Sequence, residues 1–324
     1  MLLCFYTEKS EVMILFNSFD FYLRHPKVRL AKQNIALYVM ILPSLIYLIL
    51  FCYIPMYGAQ IAFRNYTFAK GITGSPFVGA KWFKYFFSSP QFSVVLKNTL
   101  IITIYSLAAS FPLPIILALM LHNIPSGNYR KVVQTVTYLP HFISVVVLVG
   151  MMSCMFSIRS GFFNTLIEAI GGQTKYFMGE AQYFRHMYVW SEVWQNVGWD
   201  SIIYMAALTA VDPQLHEAAI IDGASKLQRI IYIDLPALTS TIVILLILRF
   251  GGMLSVGYEK VYLMQTDLNL TVSEVISTYT YKMGLVNSKY SYSTAIGLFN
   301  NVINFTLVVI VNRISLGLTG NSLW

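Results

Sequence analysis

The chain has 324 residues, of which 56% are hydrophobic and only 11% charged, with a mean hydropathy of +0.62. Soluble domains carry about 25% charged residues, so this composition excludes a soluble globular domain and describes an integral membrane protein. The net charge of +8 does not point to nucleic acid, because the basic residues are scattered, apart from one juxtamembrane group that suits anionic lipid and topology.

Residues 1–34 are expected to form an amphipathic or loosely ordered cytoplasmic segment. Acidic and basic residues (Glu8, Lys9, Glu11, Asp20) interrupt its apolar patches, unlike a signal peptide. Arg24, Lys27, Arg29 and Lys32 then precede the first apolar run and hold the N-terminus inside. About six spans follow. Span 1 is expected from about Ile35 to Tyr57, kinked by Pro43 and Pro55. Residues 58–95 form an external connection. Span 2 covers about Leu96 to Leu121, bent by Pro112 and Pro114, and a short inner loop carries Arg130 and Lys131. Span 3 covers about Val136 to Phe156, and span 4 about Met187 to Leu208. An inner loop occupies about 210–235, span 5 about Ala237 to Val256, and span 6 about Tyr292 to Leu316. Residues 257–291 make a further external connection of strand- or helix-like content. Residues 317–324 form a cytoplasmic tail. The predicted fold is an all-α polytopic membrane protein with both termini inside. Cys4, Cys52 and Cys154 lack metal-ligand spacing, and no disulfide is expected.

The polar island between spans 4 and 5 carries the clearest local signals. Asp212 suits an N-cap and Pro213 the first helical position. A helix can run to Asp222, where Gly223 can take the left-handed conformation that ends it. Ser225 and Gln228 have capping-box spacing for a second helix, which Pro236 would stop, or else mark entry into the next element.

This island resembles the EAA loop of bacterial ABC-importer permeases. Glu217-Ala218-Ala219, Gly223, Ile233 and Leu235-Pro236 match its pattern, and Asp222 and Ala224 match the Asp-Gly-Ala form of sugar importers. The resemblance extends over nearly all of residues 30–315. It includes Leu42-Pro43-Ser44, Asn98-Thr99-Leu100, the run Tyr138 to Ser144, Tyr290 to Asn304, and Val311 to Ser315. Within the oligo- and polysaccharide branch of the maltose-type permeases, the chain resembles in particular those for alginate and pectin-derived oligosaccharides, the alginate importer's first permease foremost. Basic residues that usually follow Arg313-Ile314-Ser315 in relatives are here Leu316, Gly317 and Leu318.

The resemblance implies the type I importer permease fold in a bacterial cytoplasmic (inner) membrane, with a cytoplasmic coupling helix between spans 4 and 5. It also implies a second homologous permease, two ATPase subunits inside, a solute-binding protein outside and an oligo- or polysaccharide substrate moved by alternating access. Glu217, Ala218, Ala219, Asp222 and Gly223 would then couple to an ATPase. No stretch matches G-x-x-x-x-G-K-[ST]. The chain is therefore expected to be a non-catalytic subunit with no cofactor of its own, ATP and magnesium belonging to the partner ATPases.

Polar and aromatic residues inside spans are costly in lipid and mark candidate passage groups. Span 4 offers Trp194, Gln195, Asn196, Trp199 and Asp200, and span 6 offers Asn300, Asn301 and Asn304. These amides equally suit helix-to-helix hydrogen bonds. His141 follows Pro140, where a helix-end hydrogen bond is the simpler role. Arg249 is the main cation within a span; a cavity-facing role and a paired or snorkelling one both fit. A self-contained secondary transporter of a sugar-like solute is the alternative, and would require an inverted repeat and mid-membrane coupling carboxylates. A membrane enzyme would require paired acids at one membrane face; the acidic group Asp212, Glu217, Asp222 and Asp234 belongs to the coupling loop.

Overall fold

A computed structural model of the chain describes residues 34–125, 127–320 and 322–323. The N-terminal basic group and the expected N-terminal segment lie outside the described residues, as does Cys4. Two compact units divide between Gln60 and Ile61. The first is most of helix α1, Ile35–Phe63. Its backbone widens to a π turn at Ile49–Tyr53, where the Ile54 N–H reaches back to the Ile49 carbonyl. Pro55 follows immediately. A proline ring clashes with the carbonyl four residues earlier, and widening the preceding turn relieves that clash without breaking the helix.

The second unit contains the remaining helices. Those of six residues or more are α2 (Lys81–Phe87), α3 (Pro90–Asn123), α4 (Asn128–Tyr138), α5 (Val145–Met155), α6 (Phe162–Ala169), α7 (Ala181–Thr209), α8 (Pro213–Ile221), α9 (Lys226–Gly251), α10 (Tyr258–Met264), α11 (Ile276–Tyr281) and α12 (Tyr290–Thr319). Among the described residues, strand pairing is confined to one isolated bridge, Arg64 with Phe77. The expected all-helical fold is borne out. The connection after α9, for which strand or helix was expected, is helical.

α1, α3, α9 and α12 are long and apolar enough to cross a membrane. The third expected span departs from its expected form. α4 and its extension to Phe142 meet α5 at 101°, so Val136 to Phe156 is a broken segment. Pro140 tightens the end of α4 into a 3-10 turn at Leu139–Phe142, and Ser144 starts α5 afresh by accepting from the Val147 N–H at 3.4 Å. α7 has 29 residues, about 43 Å at 1.5 Å per residue, ample to cross. It is too polar to count among the apolar spans, so the described residues hold four such helices, or five with the broken segment, against about six expected; neighbouring helices meet its amides and charges.

α7 is the central member. It packs against both halves of α3, against α4 and the Leu139–Phe142 turn, and against α9. Lipid supplies no hydrophobic drive between helices, so close approach and hydrogen bonds do the joining. Gly198 shows the first: a Cβ there would fall 2.1 Å from the Thr137 carbonyl oxygen of α4. Gln195 shows the second, donating to the Ile143 carbonyl at 2.7 Å. Near the loop end, Ala118 and Leu121 of α3, Tyr204 and Leu208 of α7 and Leu238 of α9 form one buried cluster.

Candidate functional site

The coupling segment folds as its local chemistry dictates. Asp212 Oδ1 accepts from the Gln214 N–H at 2.9 Å, and Pro213 opens α8. Gly223 has φ +77°. The Ala224 N–H bonds the Ala219 carbonyl at 2.8 Å and the Gly223 N–H bonds the Ile220 carbonyl at 3.0 Å, the double closure of a Schellman end. One residue later, Ser225 and Gln228 satisfy each other's backbone N–H groups, at 3.3 and 2.7 Å. The reversal is thus closed by its own hydrogen bonds.

α9 then runs through Pro236 instead of stopping there. The solution repeats that of α1: a π turn at Ile230–Asp234, with the Leu235 N–H bonded to the Ile230 carbonyl, sits directly before the proline.

α8 presents Leu215, Glu217, Ala218, Ile221 and Asp222 to the exterior, and Ile221 is 85% exposed. His216 and Ala219 turn partly inward. Asp234 does not share the exposed acidic face with Asp212, Glu217 and Asp222. It is wholly buried, with Oδ1 3.1 Å from His216 Nε2 and 4.0 Å from His122 Nε2. His122, His216 and this placement of Asp234 were missed in the sequence, where the three lie on separate elements.

The span residues divide into two groups. Trp199 and Asp200 border a recess of about 360 Å³ between α3, α7 and α9, lined also by Phe111, Tyr204 and Arg249. Arg249 Nη2 donates to Asp200 Oδ2 at 2.6 Å. Arg249 also lines a second recess with Ser106, Tyr188, Glu192 and Ser255, where Ser106 Oγ donates to Glu192 Oε2 at 3.2 Å. His141 stacks on Trp199, ring centres 4.3 Å apart, and shares a 2.9 Å hydrogen bond with Asn196 Oδ1.

The other residues stand apart from that group. Trp194 lines an apolar recess with Met151, Met155, Phe163 and Trp190. Gln195 is buried on the Ile143 carbonyl. Asn304 accepts from the Leu254 N–H at 3.0 Å and donates to Ser255 Oγ at 3.0 Å, while Asn300 donates to Ser255 Oγ at 3.4 Å. Both asparagines therefore hold the chain where it leaves α9, and Asn301 is exposed.

A buried lysine, Lys260 of α10, also went unnoticed in the sequence. Its Nζ donates to the Tyr188 carbonyl at 3.1 Å and lies 4.9 Å over the Tyr188 ring. Burial pulls its pKa down to about 8, against an opposing pull from Glu192.

Comparison with known proteins accords with this geometry. Residues 110–319 match the family described as binding-protein-dependent transport system inner membrane component. The chain is 44% identical over 288 residues to the polygalacturonan/rhamnogalacturonan transport system permease protein YteP of Bacillus subtilis, covering 89% of each chain. It is 41% identical to protein LplB of the same organism, covering 88% of this chain and 89% of that one. Among solved structures, it superposes with TM-score 0.85 and 38% identity on a chain of a bacterial ABC transporter involved in import of the acidic polysaccharide alginate, covering 91% of this chain and all of that one. A second match, at TM-score 0.84, is the alginate transporter in complex with an alginate pentasaccharide-bound periplasmic protein. The helical bundle around α7 thus has its counterpart in a solved importer, and the chain belongs to the family of binding-protein-dependent transport system inner membrane components.

Proposed function

We propose that this permease carries an oligo- or polysaccharide, acidic in character, delivered by an extracytoplasmic binding protein. The proposed assembly pairs the chain with a second, homologous permease and two ATPase subunits, which hold the ATP and magnesium. The domain plan is a cytoplasmic segment over 1–34, the permease domain over 35–316 with its coupling loop at 210–235, and a cytoplasmic tail over 317–324. Both termini face inward.

The observation that carries this reading is the outward face of α8. A short helix closed at both ends by its own hydrogen bonds, with Glu217, Ala218 and Ile221 uncovered, is suited to seat in a groove of a partner and move with it as a rigid body. Ala218 leaves room for a close backbone approach, Glu217 supplies a carboxylate for a charge-assisted hydrogen bond, and Gly223 sets the bend. Ala219 and Asp222 complete the coupling set.

The proposed passage runs by the two recesses that share Arg249. Trp199 offers an aromatic face for sugar C–H groups, Asp200 an acceptor for hydroxyls, and Arg249 the cation an acidic sugar requires. Asn196 holds His141 against Trp199, and Asn300 and Asn304 hold Ser255 at the edge of the second recess, whereas Gln195, Trp194 and Asn301 lie off this path. The similarity to permeases whose names mention polygalacturonan and alginate supports the acidic assignment.

The test is uptake by the whole importer in vesicles. Glu217→Gln and Ala218→Trp should each lower uptake and ATPase stimulation about tenfold or more while the chain still inserts. Unchanged uptake in both variants overturns the coupling assignment.

A further inference from the structure

The root of the coupling segment contains a cluster to which the proposed transport function assigns no role. His122 closes α3, His216 lies on the inward side of α8, and Asp234 ends the π turn of α9. One donor atom from each lies within 4.8 Å of the other two. The side chains of His122 and His216 are 23% and 19% exposed, and that of Asp234 is fully buried.

The two carboxylate oxygens of Asp234 are treated differently. Oδ2 accepts from Asn123 Nδ2 at 3.3 Å, which fixes the plane of the carboxylate. Oδ1 is buried without a hydrogen-bond partner, and so is His216 Nε2. These two atoms lie only 3.1 Å apart, so distance does not prevent a hydrogen bond between them; their alignment does. Two buried polar atoms that are close but not aimed at one another fit a shared third atom. Ligands about 2.0 Å from a tetrahedral zinc stand about 3.3 Å apart, which falls between the two Asp234–histidine separations.

We propose that His122, His216 and Asp234 form a binding site for a divalent transition-metal ion, with Zn²⁺ the best fit. Two imidazoles and one carboxylate suit zinc; magnesium and calcium prefer all-oxygen sites. Asn123 plays the outer role of orienting the carboxylate. The site opens onto a recess lined by Arg130, Lys226 and Arg229. These cations oppose a bare dication. They favour a fourth ligand that is anionic, and Arg229 Nε, buried and without a hydrogen-bond partner, is available to such an anion. A bound ion would staple α8 to the ends of α3 and α9, stiffening the joint between coupling helix and bundle. The inference does not rest on the substrate assignment.

The test uses the full chain in detergent, without a histidine tag and stripped with chelator, with Zn²⁺ and Co²⁺ as probes. The wild type should take up Zn²⁺ at a single saturable site, and Co²⁺ should give the strong visible absorption of a four-coordinate ion. His122→Gln and His216→Gln should each weaken binding at least tenfold, and Asn123→Ala about tenfold. Zn²⁺ should raise the Tm of the wild type and leave those of the histidine variants unmoved. A weak, six-coordinate Co²⁺ spectrum from the wild type overturns the proposal, a measurement that depends on no variant folding. Saturable Zn²⁺ uptake that survives both histidine substitutions overturns it as well.

Discussion

Arg249 of α9 and Asp200 of α7 form a 2.6 Å ion pair at the edge of the central recess, with side chains 44% and 27% exposed. At that exposure the pair contributes about 1 kcal/mol or less to stability, so its larger consequence is to place a cation and a carboxylate on the wall of the proposed passage.

Arg249→Met should therefore shift the Tm little but lower uptake of an acidic oligosaccharide at least tenfold, and of a neutral one much less. Asp200→Asn frees the guanidinium and should spare acidic uptake. Uptake assays with matched acidic and neutral oligomers, run on membranes with equal amounts of inserted protein, decide this. Equal losses for both sugars would remove Arg249 from substrate selection.

Gly198→Ala should be among the most damaging substitutions in the chain. Its Cβ would lie 2.1 Å from the Thr137 carbonyl oxygen, a backbone atom that cannot swing aside, so α4 and α7 must separate. A loss of about 3 kcal/mol is expected, visible as a large fall in Tm and in the yield of folded chain. An unaltered Tm would mean that α4 does not approach α7 at Gly198.

Gly223→Ala meets no steric obstacle, since no atom lies within 4 Å of the added carbon. Its cost is conformational, about 1 kcal/mol for an L-residue at positive φ. Gly223→Asn should recover part of that loss, because asparagine tolerates this region. Thermal unfolding of the three proteins should give the order Gly, Asn, Ala. Coupled ATPase activity should follow the same order.

Lys260 should make stability depend on pH. Its folded pKa of about 8 lies below the ordinary 10.5. Below pH 8 the amine is charged in both states and the folded state bears the desolvation cost. Between about 8 and 10.5 the unfolded chain holds the proton and the folded chain does not, so stability rises with pH by up to about 3 kcal/mol. Unfolding midpoints should climb from pH 7.5 to 9.5 in the wild type and stay level in Lys260→Met. A fall over that range in the wild type alone would contradict the assignment.

How much of this could be read from the residues depends on the range of the forces involved. The coupling loop was legible because Asp212, Gly223, Ser225 and Gln228 act on backbone groups at most five residues away. The bundle was legible as long apolar runs. The 101° bend before α5 was not, because average hydropathy is blind to direction, although Pro140 and Ser144 mark the place. Asn300 and Asn304 looked like passage groups, yet they hold the Leu254–Ser255 turn, a partner that composition cannot reveal. His122, His216 and Asp234 meet across about a hundred residues of sequence. No local pattern announces them. Lys260 likewise reads as a loop cation until Tyr188 is seen to cover it.

The widened turn at Ile230–Asp234 also has a bearing on selectivity. A π turn holds one more residue than an α turn, which rotates everything downstream by about 100°. Arg249 lies downstream on the same helix, so its aim at Asp200 is set in part by a proline near the opposite end. Substituting Pro236 removes the reason for the wide turn; should the helix rewind to a regular spiral, the guanidinium would swing by more than a quarter revolution off the recess wall, and the charge presented along the proposed passage would change without any residue lining it being substituted.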